Sequence, residues 1–127
     1  MSIRDLLLVA SGGAIGSTLR YLVSQSAQLL LPAAVFPVGT LAVNISGSLL
    51  IGLFAGLAEY RQMFGSGARL LLVVGVLGGY TTFSAFSLET LSLLRSGQSL
   101  LALVNVFLQL GLGIAAAAAG FAAARAF

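Results

Sequence analysis

Apolar residues fill most of the chain in four long runs, and polar residues gather mainly at the ends of those runs. The runs cover about residues 6–31, 38–58, 69–94 and 100–124. Each exceeds or matches the ~20 mostly apolar residues that a membrane-spanning helix needs. In hydrocarbon every backbone N–H and C=O group must be paired internally, which this pattern achieves as helices. The sequence therefore predicts an all-α membrane protein with four transmembrane helices in a single domain, residues 1–127.

The third run is interrupted near its middle. Gly78 and Gly79 precede Tyr80 and two threonines, Thr81 and Thr82. Glycine weakens a helix interior and threonine hydroxyls compete for backbone groups, so this segment tends to release carbonyls from the helical pattern. At membrane depth such backbone is tolerated only when buried in protein or lining water, and free carbonyls there commonly bind a cation. The pattern favours a functional break in the third helix, with a packing kink as the alternative.

Glycines recur at the small-xxx-small spacing that lets membrane helices approach closely. The chain has 16 glycines, and most are interpreted as packing residues. The clearest pairs are Gly12 with Gly16, Gly52 with Gly56, and Gly75 with Gly79.

Composition supports the membrane interpretation and excludes several classes of protein. Hydrophobic residues make up 59% of the chain and charged residues 7%, more apolar surface than a small soluble domain can bury. Without cysteine or histidine, the chain has no disulfide, no thiolate or imidazole metal site and no histidine catalysis. No nucleophile, base and metal ligands converge, so an enzyme is not expected. The six arginines are scattered and lysine is absent, so no basic patch for nucleic acid exists.

Arginine placement gives only a weak orientation signal. With four spans, both termini share a side with the second loop. The positive-inside rule weakly favours that side as the cytoplasmic one but does not establish the orientation of the chain. That side holds Arg4, Arg61, Arg69 and Arg125, against Arg95 and, if it snorkels, Arg20 on the other.

Polar side chains inside the runs are costly in hydrocarbon and are therefore the candidate functional groups. Asn44 lies about two turns into the second run, and its amide can donate to an anion or hold two helices together. Asn105 and Gln109 lie four residues apart on the fourth run, so they form a polar stripe that serves as helix–helix contact or as a wet path. Arg20 and Glu89 are the charges farthest from the run ends, where a salt bridge or interfacial anchoring is the structural alternative.

Phe83 and Phe86 follow the interruption three residues apart and so share one helix face. Packing against lipid or protein is the ordinary role for such residues. An aromatic ring edge carries partial positive charge, so two ring edges can also serve a small anion.

Three segments give the chain a family resemblance: residues 12–21, 37–47 and 75–89. The last contains the pattern GGxTTFSxF at residues 78–86 and is highly specific. In these segments, in length and in its four runs, the chain resembles the fluoride channels of the Fluc (CrcB) family. The resemblance implies a dual-topology homodimer in the bacterial inner membrane, with two fluoride pores and no enzymatic activity. Passive flow through those pores would lower cytoplasmic fluoride.

The resemblance also implies roles for individual residues. Gly78 and Thr81 match positions whose carbonyls, from both subunits, hold one structural sodium ion that is not transported. Arg20 and Glu89 match characteristic charged positions of a structural or vestibule kind. The residues that the resemblance assigns to the fluoride pore are Asn44, Thr82, Phe83, Ser84, Phe86, Asn105 and Gln109.

Two positions depart from the family pattern. Ala85 stands where the family often has threonine, and Gly113 falls where a hydroxyl residue can continue the polar track.

The two alternatives to a fluoride channel are a proton-driven multidrug exporter of dual topology and a non-transporting subunit of a larger complex. An exporter needs a carboxylate deep in a helix, whereas Asp5 and Glu59 lie near span ends.

Overall fold

The structure, a computed structural model, describes all of residues 1–127 and contains four long helices. The prediction of an all-α chain with four helices suited to crossing a membrane is confirmed. Their bounds are Ile3–Leu30 (α1), Val38–Arg61 (α2), Ser66–Arg95 (α3) and Ser99–Ala123 (α4), the last extended by a 3₁₀ turn at Ala124–Ala126.

Local sequence sets the first two helix boundaries. Ser2 and Asp5 form a capping box: the Asp5 N–H donates to Ser2 Oγ at 3.2 Å and the Ser2 N–H donates to Asp5 Oδ2 at 2.8 Å. α1 ends at Leu30, because the residue before Pro32 is disfavoured in the helical conformation. α2 begins directly after Pro37, whose fixed φ suits a helix entrance.

α3 is not one continuous helix. We divide it into α3a, residues 66–80, and α3b, Phe83–Arg95. Within α3a, residues Leu70–Leu77 form a π-helix, a rare form that often occurs near functional sites. The interruption lies at Thr81 and Thr82, whose backbones are extended. Gly78 and Gly79 stay helical, so the threonines rather than the glycines end α3a.

The helices pack as two close pairs, α1 on α3a and α2 on α4, and α1 and α2 lie side by side. Glycines line both seams, as the spacing predicted. A Cβ atom added to Gly12 would stand 2.9 Å from the Gly75 Cα, and one added to Gly79 would stand 3.0 Å from the Gly13 Cα. A Cβ atom added to Gly56 would stand 2.7 Å from the Phe121 carbonyl oxygen. Backbone therefore meets backbone along both seams.

Most side chains face outward. Only 17 of 127 residues are buried, and the exposed set is rich in large apolar side chains spread over all four helices. A water-soluble monomer does not tolerate apolar surface on that scale. Together with the four long apolar helices, this surface shows a multi-pass integral membrane protein.

Candidate functional site

A cleft of about 360 Å³ opens on the face where α2, α3 and α4 meet. We call it the central cleft. It contains the interruption of α3 and several of the candidate residues from the sequence. Its lining includes Asn44, Gly78, Thr81, Phe83, Phe86 and Gln109.

Asn44, on the neighbouring helix α2, is hydrogen-bonded to the interrupted segment of α3. The Thr82 N–H donates to Asn44 Oδ1 at 2.8 Å, and Asn44 Nδ2 donates to the Thr82 carbonyl at 3.0 Å. Thr82 therefore does not donate to the Gly78 carbonyl as it would in a continuous helix. The Thr81 carbonyl accepts no hydrogen bond from the chain. The side chain of Asn44 thus replaces helical bonding at the break and leaves carbonyl oxygens there without their usual partners.

Gln109, on α4, is hydrogen-bonded to the side-chain amide of Asn44. Asn44 Nδ2 donates to Gln109 Oε1 at 3.0 Å. Gln109 is 8% exposed, and its Nε2 is buried without a hydrogen-bond partner in the chain. The predicted polar residue of α4 therefore lines the cleft, and both of its amide N–H donors have no acceptor in the chain.

Phe83 and Phe86 stand on the first turn of α3b with their rings in edge contact. The ring centroids lie 5.5 Å apart at an interplanar angle of 62°. Phe86 is buried, whereas Phe83 is 76% exposed. The cleft is therefore bordered by one buried ring and one largely exposed ring.

Thr82 and Ser84 begin α3b with their hydroxyl groups close together. Thr82 Oγ1 accepts from the Ala85 N–H at 3.2 Å and so caps the helix. It also lies 3.3 Å from Ser84 Oγ, and Ser84 is exposed. Ala85 takes part through its backbone alone, so the methyl side chain at this position is compatible with the cap.

Asn105 is four residues from Gln109 but does not line the central cleft. It is fully buried, and its Nδ2 donates to Thr90 Oγ1 at 3.0 Å. The Thr90 hydroxyl in turn donates to the Phe86 carbonyl at 2.7 Å. This chain of bonds joins α3b to α4. Asn105 Oδ1 remains buried without a partner in the chain.

Glu89 lies in a second pocket, about 220 Å³, which Ser24, Gln28 and Thr40 also line. The Thr40 hydroxyl donates to Glu89 Oε1 at 2.6 Å, and Oε2 is buried without a partner. Arg20 does not line this pocket. Sequence reasoning missed Thr40, because nothing local indicates a partner 49 residues away.

The central cleft has no charged side chain in its lining. Its polar groups are amides, hydroxyls and backbone carbonyls, next to two phenyl rings. Amide and hydroxyl hydrogens and ring edges suit a small anion, whereas free carbonyls suit a cation. The two sets lie in one cleft, at the interruption of α3.

Comparison with known proteins agrees with this chemistry. The family model described as "CrcB-like protein, Camphor Resistance (CrcB)" matches residues 7–121. Over 120 residues the chain is 50% identical to a "Fluoride-specific ion channel FluC" of Rhizobium etli, covering 94% of this chain and 95% of the relative. Proteins of the same name from Agrobacterium fabrum and Rhizobium meliloti are 49% and 46% identical over 121 residues. Each of these two comparisons covers 95% of this chain and 96% of the relative.

Proposed function

Given that the chain belongs to the CrcB-like protein family, we propose that it is a fluoride-selective ion channel of the bacterial inner membrane. The central cleft is the observation that carries this proposal. It brings uncharged donors and phenyl ring edges together in a protein whose relatives are named for fluoride conduction. A channel site must bind an ion well enough to replace its water, yet weakly enough to release it. Uncharged donors meet both demands better than a fixed cationic side chain.

The flow we propose is passive export. Hydrogen fluoride is a weak acid whose neutral form crosses membranes from acid surroundings and dissociates in the more alkaline cytoplasm, where the anion is trapped. A fluoride-selective pore lets the anion leave down its electrochemical gradient. The proposed pore residues are those of the cleft and the adjoining turn of α3b, with Asn105 behind them. They are Asn44, Thr82, Phe83, Ser84, Phe86, Asn105 and Gln109.

We propose that the working unit is a homodimer of two oppositely oriented copies. One copy leaves Phe83 largely uncovered and the central cleft open on one side. A second copy placed over this face would complete two equivalent pores. The weak arginine bias of the sequence is compatible with insertion in both orientations.

A structural sodium ion fits the interruption of α3. The Thr81 carbonyl has no hydrogen-bond donor, and Gly78 has lost the donor that Thr82 would supply in a continuous helix. Both residues line the central cleft. Carbonyl oxygens from two copies are ligands of the kind that sodium accepts, and the ion would balance their partial charges at the dimer centre.

Arg20 and Glu89 are proposed to act outside the central cleft, at the mouth of the pathway. Glu89 shares its pocket with Ser24 and Gln28, which offer further polar groups. The Thr40 hydroxyl fixes one carboxylate oxygen, and the other is buried without a hydrogen-bond partner in the chain.

Fluoride efflux from liposomes tests the proposed function. Purified protein should release trapped fluoride, followed with a fluoride-selective electrode, and should leave trapped chloride in place. Protein-free liposomes supply the background rate. Equal passage of the two halides, or no fluoride release, would disprove the proposal.

Sodium should raise the melting temperature of the detergent-purified protein. An ion that binds only the folded dimer stabilises it by about 2.7 kcal/mol at 100 times its dissociation constant. The measurement compares melting in sodium chloride with melting in N-methylglucamine chloride at equal ionic strength. Identical melting curves would contradict the sodium site while leaving fluoride conduction untouched.

A further inference from the structure

We propose that the Tyr80 hydroxyl, through its hydrogen bond to Ser46, sets the direction of the Thr81 carbonyl at the interruption of α3. Tyr80 and Ser46 are then positioning residues for the proposed structural sodium ion. They act through the backbone at Thr81 and not as ligands. This inference rests on the proposed sodium site and names the contact that shapes it.

Tyr80 and Ser46 join α3a to α2 through their hydroxyl oxygens, which lie 2.9 Å apart. Ser46 Oγ also lies 2.7 Å from the Ala42 carbonyl oxygen, to which it can only donate. Because a hydroxyl group has one hydrogen, the Tyr80 hydroxyl must be the donor to Ser46 Oγ. The bond therefore ties the last helical residue of α3a to a side chain that the α2 backbone already holds.

α2 also contacts the next two residues of the interruption. Gly47 lies against Thr81, since a Cβ atom added to Gly47 would overlap the Thr81 Cγ2 methyl group. That added atom would also stand 3.2 Å from Tyr80 Cδ1. The Asn44 side-chain oxygen accepts from the Thr82 N–H at 2.8 Å. α2 therefore meets each of the three consecutive residues at which α3 leaves the helical path.

Thr81 is the residue at which the backbone turns. Its N–H and its hydroxyl both donate to the Leu77 carbonyl, at 3.0 and 2.9 Å, so it enters as a continuation of α3a. Its ψ of 157° is extended, so its carbonyl leaves the helical direction and has no donor in the chain. The direction of that carbonyl thus depends on how the end of α3a is held, and the Tyr80 bond holds it.

Neither Tyr80 nor Ser46 lines the central cleft or the Glu89 pocket. Their bond can therefore be broken without removing a group that faces the proposed fluoride path. An effect of breaking it on sodium binding would have to pass through the backbone of the interruption.

A sodium titration of thermal melting tests the inference in Tyr80→Phe, which keeps the ring and removes the hydroxyl. Detergent-purified protein is melted in mixtures of sodium chloride and N-methylglucamine chloride at constant ionic strength. The sodium concentration needed for a given rise in melting temperature should increase roughly fivefold, as expected when one hydrogen bond that orders a site is lost. A merely structural role would lower the melting temperature equally at every sodium concentration. An unchanged sodium requirement would overturn the inference.

Two matched controls remove hydroxyl groups elsewhere. Tyr60→Phe loses a hydroxyl that is exposed and accepts from Arg125, so its sodium requirement should equal that of the wild-type protein. Ser46→Ala should raise the requirement as Tyr80→Phe does. Ser11→Ala should not, because the Ser11 hydroxyl donates only to carbonyls of its own helix. An equal rise in a control and in its test variant would overturn the inference.

The double variant separates one shared bond from two independent effects. If Tyr80 and Ser46 act through their mutual bond, the double variant should need no more sodium than the more affected single variant. A requirement equal to the product of the two single effects would overturn the inference. Should one single variant fail to fold, the other still tests the bond. Wild-type melting that ignores sodium would disprove the sodium site and with it the inference, whereas fluoride efflux tests the channel function separately.

Discussion

Backbone meets backbone along the two glycine seams, whereas side chains fill the space between helices around the central cleft. Gly16 approaches α3a so closely that an added Cβ would stand 2.8 Å from the Tyr80 nitrogen. Around the cleft, Asn44 and Gln109 instead bridge α2, α3 and α4 through hydrogen bonds. The seams need no polar group, while the cleft depends on polar groups that hydrocarbon would penalise.

The difference indicates how the chain tolerates buried polar atoms without partners. Close packing of small residues provides attraction between helices without a hydrophobic driving force. Two such seams hold α1 to α3a and α2 to α4. With the helix positions fixed there, the cleft can contain hydrogen-bonding groups that have no partner in the chain. Stability and function are thus expected to respond to different substitutions.

Gly16→Ala should give the largest effect on stability. Its methyl group would meet the Val76 carbonyl and the Tyr80 backbone nitrogen, which cannot move without shifting the helix. Overpacking typically costs about 1–3 kcal/mol, and a backbone clash falls at the upper end or beyond. Gly13→Ala, one turn away, meets nothing within 4 Å and is the matched control. Thermal melting in detergent compares the two, and equal melting temperatures would refute the seam.

Phe86→Ile should reduce function more than stability. Losing a ring edge worth on the order of 1 kcal/mol lowers anion occupancy roughly fivefold to tenfold, and fluoride efflux from liposomes should fall accordingly. Phe107→Ile is the control, because Phe107 is 68% exposed on α4 and lines neither pocket. The proposed dimer should survive both changes, as size-exclusion chromatography can establish. Normal efflux in both Phe86→Ile and Phe83→Ile would remove the rings from the mechanism.

Tyr60→Phe should give the smallest effect. Arg125 Nε donates to the Tyr60 hydroxyl at 3.0 Å, and this pair is exposed at the far end of the α2–α4 seam. Loss of one exposed hydrogen bond costs about 0.5–1 kcal/mol, so melting should change slightly and efflux not at all. Tyr60→Leu should cost more, because it also removes the ring that contacts Phe121. If Tyr60→Phe destabilised the protein as much as Gly16→Ala, the glycine seams would not be the main source of its stability.

The sequence by itself determined the membrane class, the four helices, the glycine seams and the residues gathered at the interruption of α3. These follow from properties that are read along the chain: length of apolar runs, small-residue spacing and a specific motif. Tertiary structure alone decided that the break lies at Thr81 and Thr82, that residues Leu70–Leu77 form a π-helix, and that Gln109 lines the central cleft whereas Asn105 does not. It also decided that both amide hydrogens of Asn44 are hydrogen-bonded within the chain. Asn44 meets partners 38 and 65 residues away, and a hydrogen bond depends on where two atoms lie in space, which residue order does not specify.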